Sequence, residues 1–476
     1  MPHAVVLGGS MIGAATALLL ERSGWQVTVV DAEHSRLRDD DVTHRAGAPH
    51  AVHAHGFMSR TRVELTTRLP DVWAALLDAG VEEVPLAAMV PPSLHDGGRP
   101  GDDDVTSARM RRHVTDRALA RALDRSAVRL VEARATGLVL GSGKALPRVL
   151  GLGLADGSAM TGDLVVDAGG RRSPVSGWLR AAGIVQPERH DESIARYYSR
   201  HYRVTGGRPP LNVGFADVHR FACHVQLMFL GDSGTAMVAL AAHDDDPVLK
   251  TLRHAGAYDA VLGANDAFAA WREVLEPTTD VFCLGAFDNR MRSLVADGEP
   301  VVRGLSQLGD ALATTNPTRG RGVSMGLMAA GHLADVLAAH EDKDDVALAF
   351  EAWRDRVLAV VYRECAATDV TASRQLSAGL AGRSIPSNAP AVEIPEDHAF
   401  TAAELERAAG LDADLFRVFL RATALLDDDR RVLSPEVAAD VRRVLDAAGP
   451  STPDRPRPTD GLHDRETLAR LLAPWQ

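Results

Sequence analysis

The sequence predicts an α/β fold in three parts: a discontinuous domain on a parallel sheet, an inserted lobe with a mixed or antiparallel sheet, and a helical carboxy-terminal region. Three observations predict it. An apolar strand, a glycine turn, a helix and a second strand follow one another between Ala4 and Asp31. Apolar residues alternate between about Tyr197 and Ala241, and helical spacing dominates beyond the proline-bearing stretch Ile385 to Pro395. A period of two marks strands with one buried face, whereas a period near 3.6 marks helices.

Ala4-Val5-Val6-Leu7 is a short apolar run ended by glycine and reads as a buried strand. Ile12 to Ser23 has helical spacing, and Gln26 to Val30 reads as a second strand ending at Asp31. That order opens a parallel βαβ unit. The acidic run Asp39-Asp40-Asp41 leads into a histidine-rich segment, Arg45 to His55, and one helix is expected from about Arg60 to Ala79. Asp96 to Asp104 reads as a Gly/Asp loop, Val114 to Arg125 as a helix and Val128 to Val131 as a strand. Leu164 to Asp167 is another buried strand, entering the turn Ala168-Gly-Gly-Arg-Arg-Ser173.

The pieces His201-Tyr-Arg-Val204 and His224 to Phe229 alternate as strands of a sheet with one buried face do. The chain then returns to a strand and turn at Val301 to Asp310 and a long helical stretch from Gly320 to Ala339. Ala403 to Ala408, Leu415 to Leu426 and Pro435 to Ala447 read as helices of the tail, and Gly449 to Pro458 as an exposed linker. No internal repeat is visible.

At 476 residues, 46% hydrophobic and 24% charged, the chain has the composition of a folded globular protein with room for two or three lobes. Its formal net charge of −12 opposes attraction to nucleic acid or anionic membranes, so neither is an expected partner. Cys223, Cys283 and Cys365 form no CxxC pair and read as structural thiols of a reducing cytoplasm. The amino terminus shows no basic stretch or secretory segment, and no apolar run is expected to reach membrane-spanning length.

Gly8-Gly-Ser-Met-Ile-Gly13 lies between a strand and a helix, where absent side chains let backbone amides approach a pyrophosphate at the helix start. Asp31 then stands where a carboxylate accepts hydrogen bonds from a ribose. Ser10 replaces the usual central glycine. Much later, Gly309-Asp310 is followed by Asn316-Pro317 and Gly320-Arg-Gly322.

In that order these motifs resemble the para-hydroxybenzoate-hydroxylase-type flavoprotein monooxygenases. The resemblance implies FAD on a Rossmann-like domain, with Gly8, Ser10, Gly13 and Asp31 at its adenosine and pyrophosphate end. It implies that Asp310 contacts the ribityl or pyrophosphate part and that Gly320 to Gly322 approach the flavin. Arg112, four residues before Asp116, resembles the family's arginine at the start of a helix beside FAD. It also implies a domain partition: 1–75, 105–180 and 295–340 for FAD, 76–104 and 181–294 for the substrate lobe, and 341–476 for the helical region.

Arg45-Ala-Gly-Ala-Pro49 and His53-Ala-His55 resemble a segment of the polyether epoxidases of monensin and lasalocid biosynthesis that lies near the isoalloxazine. His50 and Val52 depart from it, standing where glutamine and arginine are expected. His53 and His55 fall on one side of an extended segment, and their expected role is to position substrate or a flavin-bound oxygen by hydrogen bonds. No further ligand has metal-binding spacing, so no metal is expected. Gly169-Gly170 occupies the position of the family's Asp-Gly pair, with Asp167 displaced by two residues.

The activity so implied is reduction of FAD, reaction with dioxygen through a C4a-peroxyflavin, and transfer of one oxygen atom to a small organic molecule by epoxidation or hydroxylation in specialised metabolism. Reduced nicotinamide or a separate flavin reductase is the expected electron source. An FAD-dependent alkene reductase or dehydrogenase of the geranylgeranyl-reductase type shares these motifs and stands as the alternative. A non-catalytic flavin-binding protein is a further one. A flavin halogenase is a nearby alternative, but that family normally has a Trp-x-Trp-x-Ile-Pro segment and an early catalytic lysine, whereas the tryptophans here are isolated and the first lysine is Lys144.

Overall fold

The computed structural model describes residues 1–38, 44–89, 92–94, 96–141, 146–212, 215–285, 288–317, 320–383, 394–449 and 464–476. Asp39 to Asp41, most of Ile385 to Pro395 and all of the expected linker beyond Gly449 lie outside these residues.

Five strands form a parallel sheet in the order Leu305–Gln307, Leu164–Asp167, His3–Leu7, Gln26–Asp31 and Arg129–Glu132. Val5 pairs with Thr28 on one side and Val165 on the other, which puts the opening strand at the centre. Both faces are covered, as apolar parallel strands require. Val6, Val27 and Val29 face the helix Met11–Arg22, whereas Val5, Val30 and Val165 face a second core under the three-stranded sheet Ala135–Leu140, Val149–Leu154 and Ala159–Thr161.

Two expectations need correction. The helix expected over Arg60 to Ala79 is two helices, Ser59–Arg68 and Pro70–Asp78. Pro70 crowds the backbone of the residue before it, and Leu69 leaves helical geometry at φ −134° and ψ 55°. The second concerns membrane-spanning length. Gly322–Ala339, 18 residues, is long and apolar enough to cross a membrane by length and composition. Its helical window is 61% buried and it packs on Met11–Arg22 and Ser59–Arg68, so its apolar surface belongs to the protein core.

The second sheet is antiparallel, in the order Ala216–Arg220, His224–Leu230, Thr235–His243, Ala195–Val204 and Leu275–Pro277, with Phe282–Leu284 also pairing to Ala195–Val204. Its back face buries Tyr198, Val238 and Leu240 against Tyr258, Trp271 and, from the end of the chain, Leu468 and Leu472. The long helix Ala359–Leu380 packs on the Thr235–His243 strand. Beyond it, Ala402–Ala409, Ala413–Thr423 and Pro435–Ala448 enclose a core of their own around Leu405, Leu415 and Val441. Arg417 ties that bundle to Asp96 and Asp102 at 2.7 and 2.8 Å. Cys223 and Cys365 are buried, but Cys283 is exposed, which removes it from the structural thiols expected.

Candidate functional site

The opening turn is set by backbone packing. Gly8 has φ +96°, and a Cβ there would stand 2.5 Å from the Ala168 carbonyl oxygen. At Gly13 the added carbon would lie 1.9 Å from the Gly8 carbonyl oxygen. Only hydrogen fits in either place, so strand, turn and helix start are in contact. Asp31 accepts from the Gly9 and Glu33 backbone amides, both at 2.7 Å, which fixes its carboxylate across the turn.

Ser10 is the N-cap of Met11–Arg22 but makes no capping bond to the helix. Its hydroxyl donates to Asp116 Oδ1 at 3.1 Å and accepts from Arg112 Nη2 at 3.0 Å. Asp116 Oδ2 in turn accepts from Arg45 at 2.6 Å and Arg112 at 3.1 Å. The exposures of Arg45, Arg112 and Asp116 are 7%, 7% and 3%. Burial pushes the Asp116 pKa up, but Arg112, Arg45 and the Ser10 hydroxyl outweigh it and hold the group below its ordinary value. Two cations against one anion leave a net positive charge beside the glycine turn, which suits a diphosphate.

Asp310 follows the strand Leu305–Gln307 in a short turn opened by Gly309 at φ +57°. Burial raises its pKa, opposed by the fields of Arg112 and Arg171. Gly320 has φ +63°, and a Cβ there would approach the Gly56 carbonyl oxygen to 2.8 Å. The histidine segment is thereby pressed against the start of Gly322–Ala339. Asp167, 0% exposed, accepts from Ser173, the Gly169 amide and Gln307, so it holds the turn together.

Within the histidine segment, His53 Nδ1 meets Ser199 Oγ at 2.9 Å, and His55 Nδ1 donates to the His53 carbonyl oxygen at 2.8 Å. Burial dominates both rings, aided by neighbouring cationic or histidine groups, and brings His53 down to about 3 and His55 to about 4. Both are therefore neutral near pH 7. A neutral ring carries one N–H, and that of His55 is spent on the carbonyl, so its other nitrogen is an acceptor. This corrects the expectation that both rings donate toward the reacting oxygen. His53 keeps that option when the Ser199 hydroxyl donates to its Nδ1.

A single cavity of about 1220 Å³ is lined by Gly8, Ser10, Asp31, Arg45, His53, His55, Arg112, Asp310, Gly320 and Gly322. Gly13 packs behind it against Gly8. The remaining wall includes Ser199, Val218, Leu227 and Phe229 of the antiparallel sheet, Leu376 of Ala359–Leu380, and Leu420 of the carboxy-terminal bundle. Sequence reasoning did not single out Ser199 or Leu420. Strand alternation groups Tyr197, Ser199 and His201 on one face, and nothing local ties Leu420 to the site.

No family model matches the sequence. Protein Rv3254 of Mycobacterium tuberculosis is 28% identical over 381 residues, which span 72% of this chain and 75% of that protein. Among solved structures, the flavin-dependent brominase Bmp2 aligns with a TM-score of 0.62 at 13% identity, over 94% of this chain and 99% of its own. PqsL of Pseudomonas aeruginosa, described as a probable FAD-dependent monooxygenase, aligns with a TM-score of 0.58 at 16% identity, over 80% and 99%. The p-nitrophenol 4-monooxygenase PnpA of Pseudomonas putida DLL-E4 gives 0.56 at 15%, over 90% and 100%. The chain has the fold of flavin-dependent monooxygenases. At these identities the likeness establishes the fold, and the chemistry rests on the residues at the cavity.

Proposed function

We propose that this protein binds FAD and acts as a monooxygenase, placing one atom of dioxygen in a small organic substrate by epoxidation or hydroxylation. One observation carries the reading: the glycine turn, Asp31, the Arg45–Asp116–Arg112 cluster, Asp310 and an apolar sheet face share one cavity. Its volume of about 1220 Å³ exceeds the roughly 300–1000 Å³ of a site for one drug-sized ligand, leaving space for a cofactor and a second molecule.

The residues present fit the cofactor. Gly8 and Gly13 would allow the close backbone approach, Asp31 would accept from the ribose, Arg45 and Arg112, both at Ser10, would face the diphosphate, which puts Arg45 nearer that end than the isoalloxazine expected of its segment, and Asp310 would meet the ribityl chain. Bound FAD supplies the activation of dioxygen. The chain's own part is to hold the substrate, exclude water with Leu227, Phe229 and Leu376, and keep His53 neutral, with Ser199 on one ring nitrogen. The domain partition by residue ranges belongs to the same reading, supported by strands of the parallel sheet that come from 3–31, 129–167 and 305–307. The segment from Arg45 to His55 favours epoxidation and a place beside the polyether epoxidases. Reduced nicotinamide or a separate flavin reductase delivers the electrons.

The test is mass spectrometry of products formed under labelled dioxygen from candidate alkenes and phenols, with bromide present. One labelled oxygen per product is expected. A saturated, unlabelled product would replace this reading with alkene reduction, and a brominated one with halogenation.

A further inference from the structure

The cavity-facing side of the antiparallel sheet is ordered by its register. Across four strands, Tyr197 pairs with Ala241, Ala241 with Val225, and Val225 with Arg220. The adjacent row runs Ser199, Ala239, Leu227 and Val218. All eight side chains line the cavity. Three interstrand steps put the two ends of each row about 14 Å apart.

The two ends differ in chemistry. Tyr197 donates to Asn316 at 2.6 Å, in the loop after Asp310, and Ser199 meets His53, so this edge adjoins the expected cofactor residues. The middle of the floor is alanine, valine and leucine, with no polar side chain. At the far edge stands Arg220. The other arginines of this sheet are paired: Arg196 with Asp244, Arg200 with Asp259 and Arg203 with Glu276. Arg220 is solvent-exposed where it lines the cavity, and it has no ion-pair or hydrogen-bond partner among the described residues. Along its own strand, Asp217 and His219 pair with each other on the opposite face. A guanidinium at the end of an apolar floor, open to solvent and with no protein anion on it, is placed to meet an anion carried by an apolar body.

We propose that the cavity takes an elongated amphipathic organic acid, its apolar body lying over Ala241, Val225, Ala239 and Leu227, its carboxylate on Arg220 and its reacting end at the Ser199–His53 edge. The inference rests on the oxygenase reading for what happens at that reacting end, but not for the binding itself. The floor sets the length and Arg220 sets the charge, so a short acid loses the apolar contact and a long neutral molecule loses the ion pair.

FAD-loaded protein titrated with decanoate, decanamide and butanoate, followed by calorimetry and by the flavin absorbance, tests this. Decanoate is expected to bind about tenfold or more tightly than decanamide, the scale of one hydrogen bond to a charged group. Butanoate is expected to bind more weakly than decanoate by at least as much. Arg220→Gln should equalise acid and amide without changing decanamide affinity or FAD content, and Arg220→Lys should retain part of the preference. Equal binding of acid and amide, no binding of either, or a preference surviving in Arg220→Gln overturns the proposal. Wild-type protein that fails to retain FAD defeats the cofactor reading instead, and an acid preference measured by calorimetry on that protein would still uphold the assignment to Arg220.

Discussion

The two ends of the cavity are built in opposite ways. At the glycine-turn end, backbone touches backbone and one carboxylate is clamped by two buried arginines. At the sheet end, side chains from four strands and two carboxy-terminal helices make a mostly apolar wall whose shape depends on register. The first has little tolerance for change and is suited to a ligand of fixed shape. The second can change side chain by side chain without disturbing the sheet. Common cofactor chemistry and variable substrates demand that division.

The largest expected effect breaks the first end. Asp116→Ala leaves Arg45 and Arg112 buried without their anion, which costs about 3–5 kcal/mol by analogy with broken buried pairs. Denaturation midpoints and FAD content should both fall. A variant as stable as wild type would show that solvent already screens the cluster. Gly13→Ala comes next, since its methyl carbon would meet a backbone oxygen that has nowhere to go. A stability loss of about 1–3 kcal/mol, with little flavin left after gel filtration, is the expected outcome.

The same contrast explains what the sequence revealed. The strand, glycine turn, helix and acid from Ala4 to Asp31 lie within one βαβ unit, where spacing alone encodes contact. Asp310 and Gly320, singled out by the order of their motif along the chain, both line the cavity. The sheet floor of the cavity was not legible, because Tyr197 and Arg220 become row-mates only through two hairpins and the long-range pairing of Ala195–Val204 with Thr235–His243, a register that is a tertiary property. Arg60 to Ala79 failed as one helix for a local reason, the restraint Pro70 places on Leu69. Gly322–Ala339 reaches membrane-spanning hydropathy only as an average, because Ser324, His332 and Asp335 interrupt its apolar residues, so no continuous apolar run marks it in the sequence.

A smaller effect is expected at Asp310, where the fold does not depend on an ion pair. Asp310→Ala removes an acceptor at the cavity wall and should weaken FAD by about 1–3 kcal/mol while leaving the melting temperature of the cofactor-free protein nearly unchanged. Titration with FAD checks it, and unchanged affinity would move the cofactor away from this residue.

The smallest change in binding and the most diagnostic change in chemistry belong to His53, which stands where the two ends meet. His53→Gln should keep FAD and lower oxygenated product about a hundredfold, the lower end of the range for one positioned proton donor. Reducing equivalents would then appear as peroxide. His55→Gln should do less to the product, because the one N–H of His55 is held by the His53 carbonyl oxygen. Acid adds an independent check. The folded-state pKa of His53, about 3, lies below the unfolded value of about 6.5, so the unfolded chain binds the proton first as pH falls. The stability that neutral His53 permits is therefore complete above about pH 6.5 and is lost progressively toward pH 3. Denaturant midpoints at pH 7.5 and pH 5 should differ less for His53→Gln than for wild type. Equal pH responses together with unchanged product would place His53 outside both the buried junction and the chemistry.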